Sequence, residues 1–387
     1  MSALIVDAPT GRGRAALDWS IFLAPLGFAF TGALLRYLAY ASVTVQPTVQ
    51  GFVDSMCVWD CYWYGDIVLH GYQPHPEQLN FGGPAGIANW AFFPLYPLLI
   101  AGVGKLLALP PPTLGAIVSP LLTFAAALAS RPLFLGDRRA YFLFAALLLM
   151  GPFSFYFSIL YSESLFLLLT VMAFVLLQRR NYGAAGLAGG MLSATRTVGV
   201  LFVFALLTEA GLDLARRPQG MRLGRVLRWP DMLLGALLVP TGLFAFMVWL
   251  YLRTGDALAF VHIQRAWDRE MGNPLGFVWA AFSSAGGQVR DGPLLALASL
   301  VGLVLCGALA GQRRWPAGVF STLTLLLSLS NGLESMLRFV AALAPLGVAF
   351  SVGLARWRPL FWLSLLGFAV LDFEFTTMWL AQRGALM

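Results

Sequence analysis

Apolar residues arrive in this chain in runs about as long as a bilayer is thick. Trp19–Ala41, Thr113–Ala129, Asp231–Leu252 and Leu360–Leu380 each hold a stretch that fits a membrane-crossing helix, for which ~20 residues at 1.5 Å rise cover ~30 Å of hydrocarbon. Charge is correspondingly scarce. Only 11% of the 387 residues are Asp, Glu, Lys or Arg, against roughly 25% in an average soluble domain, and 59% are hydrophobic. The mean hydropathy is +0.77. A water-soluble enzyme of this size cannot cover its surface with so few charges, and a disordered chain would be far less apolar. Three cysteines exclude a disulfide scaffold. The composition predicts an all-α polytopic membrane protein, a single integral membrane domain over residues 1–387. The net charge of +7 then marks cytoplasmic loops, and no nucleic acid partner is expected.

Arginine punctuation sets the expected topology. Arg12 and Arg14 precede the first run, which is too long for the core of a cleaved signal and reads as a retained anchor with residues 1–18 as a cytoplasmic tail. Between Arg36 and Lys105 there is no cation, while Asp54, Asp60, Asp66 and Glu77 all fall there, so residues 42–112 are placed as a large outer loop. Within it Phe92–Leu109 is broken by Pro94, Pro97 and Lys105 and reads as an interfacial helix. Basic clusters recur at Arg131, Arg138 and Arg139; Arg179 and Arg180; Arg216, Arg217, Arg222, Arg225 and Arg228; Arg313 and Arg314; and Arg356 and Arg358. Keeping all of them cytoplasmic requires an even number of crossings between each. Ala140–Phe153 and Ser162–Leu177 then form an outward hairpin, and Gly183–Leu212 a second, shallow one with Ala194-Thr195-Arg196 at its tip. After Asp231–Leu252, residues 253–292 form a second outer loop. Pro293–Ala310, Trp315–Leu329, Met336–Leu354 and Leu360–Leu380 complete roughly eleven crossings. In this arrangement Asp60, Glu163, Arg196, Glu334 and Arg338 all gather toward the outer face. Ionisable groups near a bilayer usually face a cavity or a partner, so the pattern predicts an outward polar chamber.

Each of these residues has two readings. Asp60, in Trp59-Asp60-Cys61-Tyr62-Trp63-Tyr64, is a proton acceptor among aromatic residues, or the cap of a juxtamembrane helix within an aromatic belt. Glu163, in Tyr161-Ser162-Glu163-Ser164-Leu165-Phe166, holds an acceptor hydroxyl or an arginine, or complements a helix dipole behind a Ser162 cap. Arg196 and Arg338 snorkel to the interface, or converge on a phosphate through bidentate hydrogen bonds, with Arg36 a weaker third. Cys57 and Cys61 are four apart, an awkward spacing for a disulfide within one helical turn. With His70 and His75 they match no metal-ligand spacing, and no metal or cofactor is expected. The glycines from Gly183 to Gly190 suit close helix packing. No phosphate-binding loop, dinucleotide fingerprint or nucleophile elbow is present, so a soluble nucleotide sugar or ATP is not an expected substrate.

Trp59-Asp60, Trp63-Tyr64, Gly71-Tyr72 and Phe92-Phe93-Pro94-Leu95-Tyr96-Pro97 resemble the PIG-V-like family, the second mannosyltransferases of GPI-anchor assembly and their prokaryotic relatives. Tyr161 to Phe166, Thr195-Arg196 followed by Gly199, and Arg338-Phe339 before Pro345 follow in the family's order. The resemblance runs from about Asp18 to Pro345. It implies a GT-C-like helical bundle and an inverting glycosyl transfer from a polyprenyl-phosphate sugar, mannose by the resemblance, to a lipid or glycolipid acceptor. It makes Asp60 the catalytic base and Arg196 and Arg338 the donor-phosphate ligands, with Glu163 orienting the acceptor or an arginine. Trp59, Trp63, Tyr64, Tyr161 and Glu334 are then expected around the substrate. Asp54 and Asp66 compete with Asp60 for the role of base. Twenty-four Arg to one Lys favour a GC-rich bacterial gene, hence a bacterial inner membrane with the site facing the periplasm or exterior. Two rivals share the same cavity and arginines: a flippase for a lipid-linked saccharide, which would show inverted repeats, and a catalytically silent binding subunit.

Overall fold

The computed structural model describes residues 18–76, 86–216, 229–267, 271–283 and 292–382. Arg12, Arg14, Glu77, Arg217, Arg222, Arg225 and Arg228, which entered the topology expected from sequence, lie outside them. Among the described residues the elements are helices: α1 (Ser20–Val43), α2 (Val49–Met56), α3 (Asp60–His70), α4 (Leu95–Leu107), α5 (Pro111–Ala129), α6 (Arg138–Met150), α7 (Glu163–Gln178), α8 (Tyr182–Thr195), α9 (Phe202–Ala215), α10 (Trp229–Leu238) and α11 (Thr241–Thr254). A short turn at Ala259–His262 leads to α12 (Pro274–Phe282), α13 (Gly292–Gly311), α14 (Trp315–Leu329), α15 (Met336–Ala342), α16 (Ala344–Leu354) and α17 (Arg358–Leu380). Local chemistry sets many of the starts. Thr48, Asp137, Asn181 and Asn273 each accept a hydrogen bond from a first-turn backbone N–H, and Pro111 opens α5 where its missing N–H costs nothing.

This is an integral membrane protein. Among the described residues six helices are long and apolar enough to cross a bilayer, or seven if the bent pair α15–α16 is one span. The other four segments expected to cross form helices α6, α7, α8 and α14 of only 13 to 16 residues. The expectation for Met336–Leu354 is corrected in one respect: it is not a continuous rod but two helices bent by 73°. Pro345 has no N–H to give to a carbonyl one turn earlier, and Leu343 adopts ψ 89, outside the helical range.

The short helix α7 is the centre of the bundle. Twelve of its 16 residues are buried, including Leu167, Thr170, Val171 and Ala173, as expected of a helix apolar on nearly all sides. Its 16 residues extend about 24 Å, less than the hydrocarbon thickness. The approach to its N-terminus, Ser154–Tyr161, is a 3-10 turn at Ser154–Phe157 followed by irregular backbone, and all of it but the half-buried Ser158 is buried in protein. Such a segment is tolerated at membrane depth only if its polar groups find partners. Thr123 donates to Phe157 O at 3.2 Å and Tyr96 to Ile159 O at 3.4 Å, while Gly115 admits the Leu160 backbone where a Cβ would come within 2.6 Å of its Cα. The glycines of α8 pack as expected: a Cβ on Gly186 would lie 2.2 Å from the Gly235 carbonyl oxygen of α10.

Charged contacts mark the two ends. At one end Asp18 pairs with Arg138, Arg180 with Asp213, and Arg314 donates to Leu133 O. At the other lie the ends of α2 and α8 and the beginnings of α3, α7 and α15.

Candidate active site

Four elements that are far apart in sequence deliver one charged side chain each. The first is the turn between α2 and α3. Cys57 leaves the helical range at the end of α2 (φ −86, ψ 86), and Trp59 takes a positive φ of 51 before Asp60 starts α3. A positive φ on a bulky residue costs on the order of 1–3 kcal/mol and persists only where its surroundings enforce it. Here they do. Trp379 Nε1 donates to Met56 O at 3.1 Å, a carbonyl that the end of α2 leaves without a helical partner, and the Tyr161 hydroxyl donates to Val58 O at 3.0 Å, which also accepts from Cys61 N. The Trp59 ring meets Trp379 edge-on with centroids 4.6 Å apart. Cys57 and Cys61 form a disulfide across the same turn. That corrects the sequence expectation. The two cysteines are not within one helical turn, because the chain breaks between them and brings their Cα atoms to 5.3 Å.

Glu163 enters at the first turn of α7, where the helix dipole favours a carboxylate. Ser162 does not cap this helix through its side chain as the sequence suggested; its Oγ instead accepts from the Tyr64 hydroxyl at 2.8 Å. Burial pushes the Tyr64 phenol well above its usual range, so it acts there as a neutral donor. Arg196 sits in extended conformation just past α8, and Gly199 explains how: a Cβ on it would lie 2.3 Å from the Leu192 carbonyl, so only glycine lets the next turn fold back against α8. Arg338 lies in the first turn of the half-helix α15, behind Ser335 in a left-handed conformation (φ 65).

The four charges form a continuous alternating chain. Arg338 Nη1 donates to Asp60 Oδ2 at 2.5 Å. Its Nε lies 3.1 Å from Glu163 Oε1, an ion-pair contact without hydrogen-bond alignment, and Arg196 Nη1 donates to the same Oε1 at 2.8 Å. Two acids and two arginines give no net charge. The middle is sealed and the ends are open: side-chain exposure is 7% for Arg338 and 2% for Glu163, but 28% for Asp60 and 16% for Arg196. Aromatic faces line the cations, with Arg338 5.1 Å from the Tyr161 centroid and Arg196 4.7 Å from that of Phe339.

The remaining sequence candidates separate by position. Asp54 is exposed and accepts from Gln50, while Asp66 is buried, facing His70 and accepting from Asn89 at 2.9 Å. Of the three aspartates only Asp60 touches Arg338. Trp63, Tyr64 and Tyr161 are buried, Trp63 stacked on Phe92 and Tyr64 packed among Phe92, Tyr96 and Tyr161, and of the three it is Tyr161 that lies against the Arg338 guanidinium. Trp59 is half-buried and Glu334 is exposed in the turn before Ser335. Arg36 is held elsewhere, paired with Asp372 at 3.2 Å and donating to Ser154 at 2.5 Å. Sequence reasoning passed over Trp379, Ser335 and Asp372. An acid inside the last apolar run was the signal for Asp372; nothing local announced the other two. Among the described residues no three His, Cys, Asp or Glu side chains converge as a metal site, and both acids here are already met by guanidinium groups.

No family model matches the chain, and no curated relative does. Solved structures share its fold. The oligosaccharyltransferase of Archaeoglobus fulgidus in the apo form aligns with a TM-score of 0.52 at 12% identity, over 93% of this chain and 56% of that one. The same protein in complex with zinc and sulfate gives 0.50 at 16% identity, over 92% and 53%. ArnT from Cupriavidus metallidurans, bound to undecaprenyl phosphate, gives 0.50 at 15% identity, over 88% and 62%. The shared architecture is the all-helical membrane bundle expected from sequence. The chain spans between about half and three-fifths of the length of these proteins.

Proposed function

We propose that the protein is an inverting glycosyltransferase that moves a sugar from a polyprenyl-phosphate donor to a hydroxyl of a lipid or glycolipid acceptor. The observation that carries this reading is the Asp60–Arg338–Glu163–Arg196 chain, which pairs an accessible carboxylate with an accessible guanidinium about a sealed core. That ArnT binds undecaprenyl phosphate on the same fold supports a polyprenyl carrier. The sequence resemblance to PIG-V-like enzymes favours mannose. Residues 42–112 are then the catalytic outer loop and residues 253–292 a second loop on that side, with the site facing the exterior of a bacterial inner membrane.

In this reaction the acceptor oxygen attacks the anomeric carbon from the face opposite the phosphate. The bond from that carbon to the phosphate oxygen breaks, and the electron pair leaves with the polyprenyl phosphate. The hydroxyl proton passes to Asp60 Oδ1, since Oδ2 is held by Arg338. Arg196 meets the charge that grows on the departing phosphate. Arg338, engaged by both acids and close to Ser335 Oγ at 3.4 Å, fixes the carboxylates in place. Trp59 and Glu334 border the acceptor side.

Detergent-solubilised protein incubated with radiolabelled polyprenyl-phosphate mannose and membrane lipid tests the proposal. The expected result is a new labelled lipid, absent with D60N at equal expression. Label moved across vesicle membranes without any new product would instead favour the flippase.

A further inference from the structure

We propose that the Cys57–Cys61 bridge positions Asp60, so that sugar transfer requires the oxidised form of the turn; the inference rests on reading Asp60 as the base. The bridge closes a ring of five residues, and Asp60 is one of them, next to Trp59 with its positive φ. That conformation relaxes unless it is held. Besides the Trp59 ring against Trp379, three contacts hold it: the bridge, the Tyr161 hydroxyl on Val58 O and the Trp379 indole on Met56 O. Only the bridge is covalent, and only it can be undone by chemistry from outside.

A disulfide across so short a loop restrains the unfolded chain little compared with a long-range bridge, which puts its expected contribution to global stability at the low end. Its effect is therefore local, on the direction in which α3 leaves the turn. Asp60 is the first residue of α3, and its hydrogen bond to Arg338 spans 2.5 Å, a distance that a relaxed Trp59 would not preserve. Both cysteines also line a groove of about 440 Å³ on the far side of α3, bordered by Asp54, Tyr62, Asp66 and Pro111. The cysteines themselves are buried, Cys57 7% and Cys61 1% exposed, so the groove is the side from which only a small dithiol approaches the bridge. One thiolate of the dithiol attacks a bridge sulfur and releases the other cysteine. The second thiol then closes the reagent into a cyclic disulfide and releases the first. Two electrons and two protons pass to the protein, and the dithiol is oxidised.

The test uses full-length protein purified oxidised in detergent. Wild type, C57A/C61A, D60N and the triple variant are compared before and after dithiothreitol, reading kcat and KM for polyprenyl-phosphate mannose and amide hydrogen exchange across residues 56–64. Reduced wild type and C57A/C61A are expected to lose about tenfold or more in kcat. Their donor KM should stay within about twofold, since donor binding is not touched. Dithiothreitol should not change C57A/C61A further, reoxidation should restore wild type, and removing the cysteines should add nothing to D60N. Exchange should rise within 56–64 and nowhere else. Full kcat after reduction, or a loss carried by donor KM, overturns the proposal. If C57A/C61A does not fold, reduced wild type decides by the same readouts. If oxidised wild type transfers no sugar, the glycosyltransferase reading fails, and exchange alone decides the positioning: a rise confined to 56–64 supports it and an unchanged profile overturns it.

Discussion

Charged side chains are rare enough in this chain that each needs a physical reason, which is why Asp60, Glu163, Arg196 and Arg338 stand out in the sequence itself. Their mutual contacts do not, because they join residues as far apart as Asp60 and Arg338. The pairing makes the four unequal. Removing Arg338 leaves Glu163 with 2% side-chain exposure and one cation fewer, and truncating one partner of a buried ion pair costs about 3–5 kcal/mol. R338A should therefore lower the thermal midpoint in detergent as well as abolish transfer, and a normal midpoint would contradict the sealed core. R338K keeps the charge but not the planar fork that reaches both acids, and should retain stability better than activity. Asp54, exposed and held by Gln50, gives the opposite expectation: D54N should transfer like wild type, and an inactive D54N would reopen the choice of base.

Elements were legible where one pattern governed them and obscure where tertiary contacts did. The apolar runs gave α1, α5, α13 and α17 nearly to their ends, and the small-residue pattern of α8 was read for what it does. The break at Leu343 was not, although Pro345 stood in plain view; proline near a helix start is equally at home in a straight segment. Nor was the turn at Cys57–Cys61, since spacing within one chain segment cannot reveal a helix break between two cysteines. Gly199 is the element-scale counterpart of the arginines. A methyl group there meets Leu192 and Ser193 backbone at 2.3 to 2.6 Å, so the turn after α8 has to move and Arg196 moves with it. G199A should raise the donor KM more than it lowers kcat, measured in the same transfer assay; a pure kcat effect would place Arg196 in a different role.

Across the whole molecule a second buried ion pair ties helices together without taking part in the chemistry. Arg36 of α1 reaches Asp372 of α17, and both engage Ser154 in the approach to α7. The first and last spans are thereby tied to the segment that presents Glu163. R36M or D372L alone leaves one charge buried without its partner and should destabilise strongly, while R36M/D372L should recover much of the thermal midpoint. Additive losses would show that the pair does not act as a unit. The central claim is narrower: Asp60 acts on the proton and Arg196 on the phosphate, within one pocket. Donor affinity and single-turnover transfer measured on the same D60N and R196A preparations test it most directly. D60N should bind polyprenyl-phosphate sugar as wild type does and lose about 10²- to 10⁴-fold in turnover, while R196A should lose donor affinity. Full turnover by D60N, or donor binding unaffected by R196A, would contradict it.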